Sequence, residues 1–262
     1  MPGLSARLAL QYRSKQARLS AEFMRQVMKL WRDLADPARI DGSWSAIRPA
    51  FVPLVLMARL GSAQLARSYY MQARSAAGVG DDGFMPSSAP LLSGDRLIKT
   101  LDVTGPVEFK KAISAGRTPI QAIEVAAVRM AGSTQYLVLE GGRTAMQDSI
   151  DRDAEATGWA RVTDNDPCAW CAMLASRGPV YKSAKTAGDP RQGGNSYHDA
   201  CACQAWPSFS LEEPFIGVAE RLYDDWRRET RGTGGKNAVN AFRRWWEAEG
   251  RAVYAAPGRP SP

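Results

Sequence analysis

The chain has 262 residues, with 34 Lys+Arg against 27 Asp+Glu and a formal net charge of +7. With 45% hydrophobic and 23% charged residues, it has the composition of a globular protein able to bury a sizeable core as one large domain or two smaller ones. The longest charge-free apolar stretch, Pro49 to Ala58, is about half of the ~20 residues a bilayer-spanning helix needs, and the N-terminus lacks the apolar stretch of a secretory signal. The expectation is no membrane association and a reducing compartment, where four cysteines point to metal or chemistry before disulfides.

The segment from Leu4 to about Leu34 reads as one long helix, with Leu19, Phe23, Val27, Leu30 and Trp31 at helical spacing. Asp36-Pro37 ends it, because the residue before proline is pushed out of the helical region. A second helix is expected from about Ser43 to Ala77, with Pro49 and Pro53 marking a start or a kink. Gly78 to Gly94, rich in Gly, Pro, Ser and Asp, reads as a loop. Helical pattern resumes at Val107–Ala115, Pro119–Ala131 and Gln135–Arg152, with Gly116 and Gly132 as separators and Thr118-Pro119 as a capped start. Trp159 to Thr163 alternates as a short strand would. Residues 164–207 show no long period of either kind, and such a loop-rich module calls for a staple such as a metal. Two helices follow, with Val218, Leu222 and Trp226 on one face and Val239, Phe242, Trp246 and Val253 on another. The fold class is therefore mainly α: a helical region over 1–152, a small α+β Cys/His module over 153–210, a helical segment over 211–256, and a disordered tail at 257–262.

Charge is uneven along the chain. Residues 1–75 carry twelve basic side chains and only four acids, so this third is strongly cationic while the remainder is close to neutral. Arg7, Arg13, Lys15, Arg18, Arg25 and Lys29, all in the first helix, form a candidate contact surface for an acidic protein or a nucleic-acid backbone. A solvated helix face is the competing reading.

All four cysteines and the single histidine lie within Cys168-Ala-Trp-Cys171 and His198-Asp-Ala-Cys201-Ala-Cys203. A Cys-x-x-Cys turn directs two sulfurs to one centre, and thiolate with imidazole is a donor set that suits Zn²⁺. The expected structural zinc site is Cys168, Cys171, His198 and Cys201, with Cys203 as the alternative fourth ligand. Trp170 and Trp206 are expected to shield it, and Trp226 and Trp246 to pack in the core. A nucleophilic reading would pair a cysteine with His198 and orient the ring by Asp199 or Asp164, and it needs the cysteines free of metal.

At these residues the sequence resembles the phage Mu protein F-like (MuF) family of minor head proteins, in the form found in tailed phages of actinobacteria. The likeness runs from Asp166-Pro-Cys168-Ala-Trp-Cys171 through Gly178 to Tyr197-His198-Asp-Ala-Cys201-Ala-Cys203, with Asn195-Ser196-Tyr197 where the family usually has prolines and Ala202 where it often has Arg or Lys. The resemblance implies a minor capsid or head morphogenesis protein in the virion, at the portal vertex or capsid interior. It would assemble in the host cytoplasm, with portal, major capsid or scaffold protein as partner and packaged DNA as a further one. Proteins of this layout are also labelled capsid maturation proteases. A single histidine excludes a serine protease using two histidines, and a triad would need His198 with a serine such as Ser176, Ser183 or Ser196.

Overall fold

A computed structural model of the chain describes residues 4–164, 166–181, 197, 199, 201–210 and 215–254. Helix α1 spans Leu4–Leu34 and buries Phe23, Val27 and Trp31 as the spacing predicts, together with Tyr12 and Gln16, while Leu19 and Leu30 are half-buried. Helix α2 begins earlier than expected, at Ile40, and continues to Ala76 with both prolines inside it. Pro49 and Pro53 lie on its exposed side, while Phe51 and Val55 are fully buried. Packing of that face overrides the local cost of two prolines.

Helix α3 (Gly94–Asp102) and a π-helical turn (Val103–Val107) fill a stretch that periodicity left unassigned. Ser93 caps α3 by accepting the Arg96 N–H, and Leu97 and Leu101 face the core. Helix α4 covers Glu108–Ser114 and α5 runs unbroken over Pro119–Arg152. Thr118 and Gln121 form a reciprocal capping box at the start of α5. Gly132 does not interrupt it, since Met130, Ala131 and Thr134 are buried on either side and hold the helix by packing.

Helix α5 packs most extensively on α2, and α1 lies against both. The close approach depends on two glycines. A Cβ on Gly142 would sit 2.6 Å from the Ser62 hydroxyl and 2.8 Å from its carbonyl, and one on Gly141 would sit 2.8 Å from the Arg59 carbonyl. At the crossing, Gln16 donates to the Ser62 carbonyl at 2.9 Å and accepts from the Ser62 hydroxyl at 2.9 Å.

The rest of the chain is built on the far end of this helical layer. Strand β1 (Gly158–Val162) pairs antiparallel with β2 (Gln204–Ser208), and every residue of both is buried. Helices α6 (Ala169–Ala175), α7 (Ala219–Glu229) and α8 (Gly235–Trp245) follow, with a second π-helical turn (Trp246–Gly250) and a last turn α9 (Arg251–Tyr254). One buried cluster draws on all of these segments, from Tyr12 and Tyr70 through Met146, Trp159 and Trp206 to Leu222, Phe242 and Trp246. Packing for Trp226 and Trp246 is as expected. Two apolar face assignments need correction: Val218 and Val253 are exposed. Ala219 takes the buried place at the start of α7, and the π-turn before α9 shifts the helical phase and carries Val253 outward.

By length and composition α2 is apolar enough to cross a membrane, with a mean hydropathy of 1.3 over its most apolar eighteen residues, of which 33% are buried. The uninterrupted apolar stretch counted in the sequence stops at Arg59, but that arginine is buried in the helix, bonded to the Leu137 carbonyl and Glu140.

Candidate metal centre

Cys168 caps α6, its sulfur accepting the Cys171 N–H at 3.4 Å, so the Cys-x-x-Cys turn is the first turn of a helix. Cys201 and Cys203 lie on the extended chain entering β2. The structure brings Cys171, Cys201 and Cys203 together, all buried, with their sulfurs within 4.8 Å of one another. The Cys171 and Cys201 sulfurs are 3.8 Å apart. This is about the edge of a tetrahedron of sulfurs around a zinc at ~2.3 Å, so the donor set and spacing fit that ion. Cys168, half-buried, packs beside the three. His198, Ser183 and Ser196 lie outside the described residues.

The sulfurs are electrostatically unequal. Hydrogen bonds from the Cys171 and Cys203 thiols, followed by the charges of Arg143 and Arg161, push the Cys201 thiol far below its ordinary range. Cys171 is pushed up, first by its contacts with the other cysteines and then by burial. Asp164, beside them, has its carboxyl raised by burial; it accepts the Asp166 and Ala202 N–H groups, and its own N–H donates to the Cys203 sulfur at 3.4 Å. Asp199 is exposed and accepts from the Ser133 hydroxyl.

Two side chains the sequence reading did not single out complete the surroundings. Arg143 of α5 donates from Nε and Nη2 to the Cys203 carbonyl at 3.2 and 3.0 Å, and from Nη2 to that of Cys201 at 2.6 Å. Arg161 is the fourth residue of β1. Their guanidinium carbons lie 3.7 and 3.9 Å from the centre of the Tyr197 ring, which is itself buried against the sulfurs. Burial pushes the Tyr197 hydroxyl up to about 12, against the opposing charges of Arg161 and Arg143. The expected tryptophan shield is corrected here. Trp206 and Trp170 pack on the main core, and the sulfurs are enclosed by Tyr197 and Tyr136. Cys203 and Trp206 are an odd number of residues apart, so extended chain sends them to opposite faces.

The six basic residues of α1 fare differently from one another. Arg25 pairs with Glu22 and Lys29 with Asp33 within the helix. Arg13 is half-buried and donates to the Thr163 carbonyl at 3.1 Å. Arg7, Lys15 and Arg18 are exposed and make no ion pair with another described residue. The remaining early cations largely meet acids from later in the chain: Arg32 with Glu124, Arg48 with Asp102, Arg59 with Glu140, and Arg74 with Asp82 and Asp153. Part of the charge asymmetry in the sequence is thus an internal pairing.

A profile of the VG15 protein family matches residues 4–229, from the start of α1 to the end of α7. The chain belongs to the VG15 family. The match takes in the helical layer, both strands and all four cysteines, so this VG15 chain carries the sulfur centre inside its family region. It is also similar to the Gene 15 protein of Mycobacterium phage D29, with 27% identity over 146 residues covering 45% of this chain and 52% of that one. The chain thus spans about half the length of the curated relative it matches. No solved structure matches it.

Proposed function

We propose that this VG15 chain is a structural protein of the tailed-phage virion, a minor capsid or head morphogenesis protein of MuF type seated at the portal or inner capsid. The observation that carries the reading is membership of a phage-linked family over residues 4–229, together with a mycobacteriophage relative. The buried sulfur centre supports a structural role: three cysteines enclosed at the base of α6 and β2 are placed to staple a region poor in regular structure. Its ion is zinc, held by Cys171, Cys201 and Cys203 with Cys168 or His198 as the fourth ligand. Ser176, the described candidate for a protease serine, is buried with its hydroxyl donating to the Met173 carbonyl, which supports the structural over the proteolytic reading.

The test is to purify virions of the encoding phage, detect the chain by mass spectrometry, and compare DNA-filled with emptied heads. A chain made during infection but absent from both sinks the virion assignment. Elemental analysis of the purified protein reads the ion directly. One zinc per chain is expected, and stripping it should expose Cys171, Cys201 and Cys203 to alkylation. DNA contact is read separately, by retention at physiological salt before and after neutralising Arg7, Lys15 and Arg18 together. Loss of retention assigns that face to DNA, whereas an unchanged value leaves the portal or capsid as its partner.

A further inference from the structure

Arg143 and Arg161 are 1% and 2% exposed, and among the described residues neither pairs with a carboxylate. Among the described residues, Nη1 of Arg143, Nε and Nη1 of Arg161, and the Tyr197 hydroxyl have no hydrogen-bond partner. By contrast, the other deeply buried arginines, Arg59 and Arg74, are each paired with a carboxylate. A buried guanidinium always carries its charge, and leaving two without counter-charge is strongly unfavourable. Both guanidiniums pack on the Tyr197 ring, which is buried with Cys171, Cys201 and Cys203, and Arg143 also holds the carbonyls of the last two.

We propose that Arg143 and Arg161 are the counter-ions of a metal–thiolate centre built on Cys171, Cys201 and Cys203, so that the pocket is matched to a net-anionic cluster and not to neutral thiols. The inference rests on the zinc reading above and specifies what surrounds the ion. A divalent cation with three thiolates carries a net charge of −1, and a fourth thiolate makes it −2. In either case the centre supplies negative charge beside two guanidiniums that have no carboxylate partner among the described residues. With the ion removed, at most one thiolate faces two guanidiniums, and the arginines lose part of that compensation. Arg143 has a second task, holding the Cys201 and Cys203 carbonyls, whereas Arg161 makes no such bond among the described residues, which makes it the cleaner probe.

The experiment uses the full chain with zinc as the only added ion, comparing wild type, Arg161→Met and Arg161→Lys. Zinc affinity is read by competition with a chromophoric chelator, and melting midpoints are taken with and without the ion. Arg161→Met is expected to weaken zinc binding about 10- to 100-fold and to lower the zinc-loaded midpoint. Its metal-free midpoint should equal or exceed that of wild type, because an uncompensated buried charge has been removed. Arg161→Lys should restore most of the affinity. The opposite signs with and without zinc separate a counter-ion from a packing residue, which would lower both midpoints together. Equal losses in both states, an Arg161→Met chain that folds in neither, or unchanged zinc affinity would each overturn the assignment. A wild-type chain that takes up no zinc overturns the zinc reading and this inference together, and is told apart by stoichiometry alone.

Discussion

The Nη2 of Arg143, on the longest core helix after α2, lies 2.6 Å from the carbonyl oxygen of Cys201. A side chain in the helical layer therefore holds the backbone of the cysteine segment, and α5 shapes the centre without contributing a sulfur. Replacing Arg143 by Lys keeps the charge but loses the planar fork that reaches two carbonyls at once. Urea unfolding should show a loss of about 2 kcal/mol, the scale of charge-assisted hydrogen bonds left unmade. A midpoint unchanged from wild type would show that the segment holds itself.

Arg74 and Asp153 form a second buried tie, between the end of α2 and the end of α5, with Nε to Oδ2 at 2.7 Å and the Tyr70 hydroxyl donating to the same oxygen at 2.9 Å. Asp153→Ala leaves the buried guanidinium with Asp82 alone and the Tyr70 hydroxyl with only the longer bond to the Ser149 carbonyl, and should destabilise by about 3 kcal/mol. The double change Arg74→Met with Asp153→Leu should cost markedly less, because neither partner is then stranded. Calorimetry of the two variants beside wild type checks this, and a double change that costs as much as Asp153→Ala would count against the pair.

Asp82, at the surface end of the same network, is held down at about 2 by its hydrogen bonds with Arg74. Its carboxyl is lower in the folded than in the unfolded chain, where an aspartate titrates near ~3.9. The stability it contributes is therefore present above that value and is lost as pH falls from about 4 toward 2. Melting midpoints measured across this range should fall more steeply for wild type than for Asp82→Asn. Parallel curves would remove Arg74 as the cause.

The glycines of α5 predict opposite outcomes at two positions. Gly142→Ala forces a methyl group into the Ser62 backbone and should cost about 1–3 kcal/mol by overpacking. Gly132→Ala meets nothing within 4 Å and should stabilise the helix by about 0.5–1 kcal/mol. Thermal unfolding of the pair decides; equal shifts would mean that helix propensity, and not contact, dominates at both sites.

Much of the helical layer was legible because its signals are local. Asp36-Pro37 sets the end of α1, Thr118-Pro119 the start of α5, and Phe23, Val27 and Trp31 mark the buried face of α1. What local signals missed was decided by packing between distant segments. Pro49, Pro53 and Gly132 read as breaks, yet Phe51, Val55 and Met130 bury enough to carry each helix through. Strand β2 went unread because Pro207 sits in it and its partner lies far back in the chain. The cysteines announced a centre by their clustering. The arginines facing them did not, although Arg143 occupies an apolar stripe between Leu139 and Met146, a position where a charge asks for an explanation.

The pairing of Val162 with Gln204 also sets an order of events during folding. The two strands are separated by about forty residues, and closing a loop of that length costs entropy before any ladder bond forms. The Asp164 N–H bonded to the Cys203 sulfur, and the Asp164 carboxylate bonded to the Ala202 N–H, sit at the mouth of that loop. Whatever gathers Cys171 and Cys201 first shortens the search for the strands, so the cysteine cluster acts as the latch of a slow, long-range step. Because α1, α2 and α5 all precede Cys203 in the chain, the helical layer is synthesised before the segment that completes the sulfur centre.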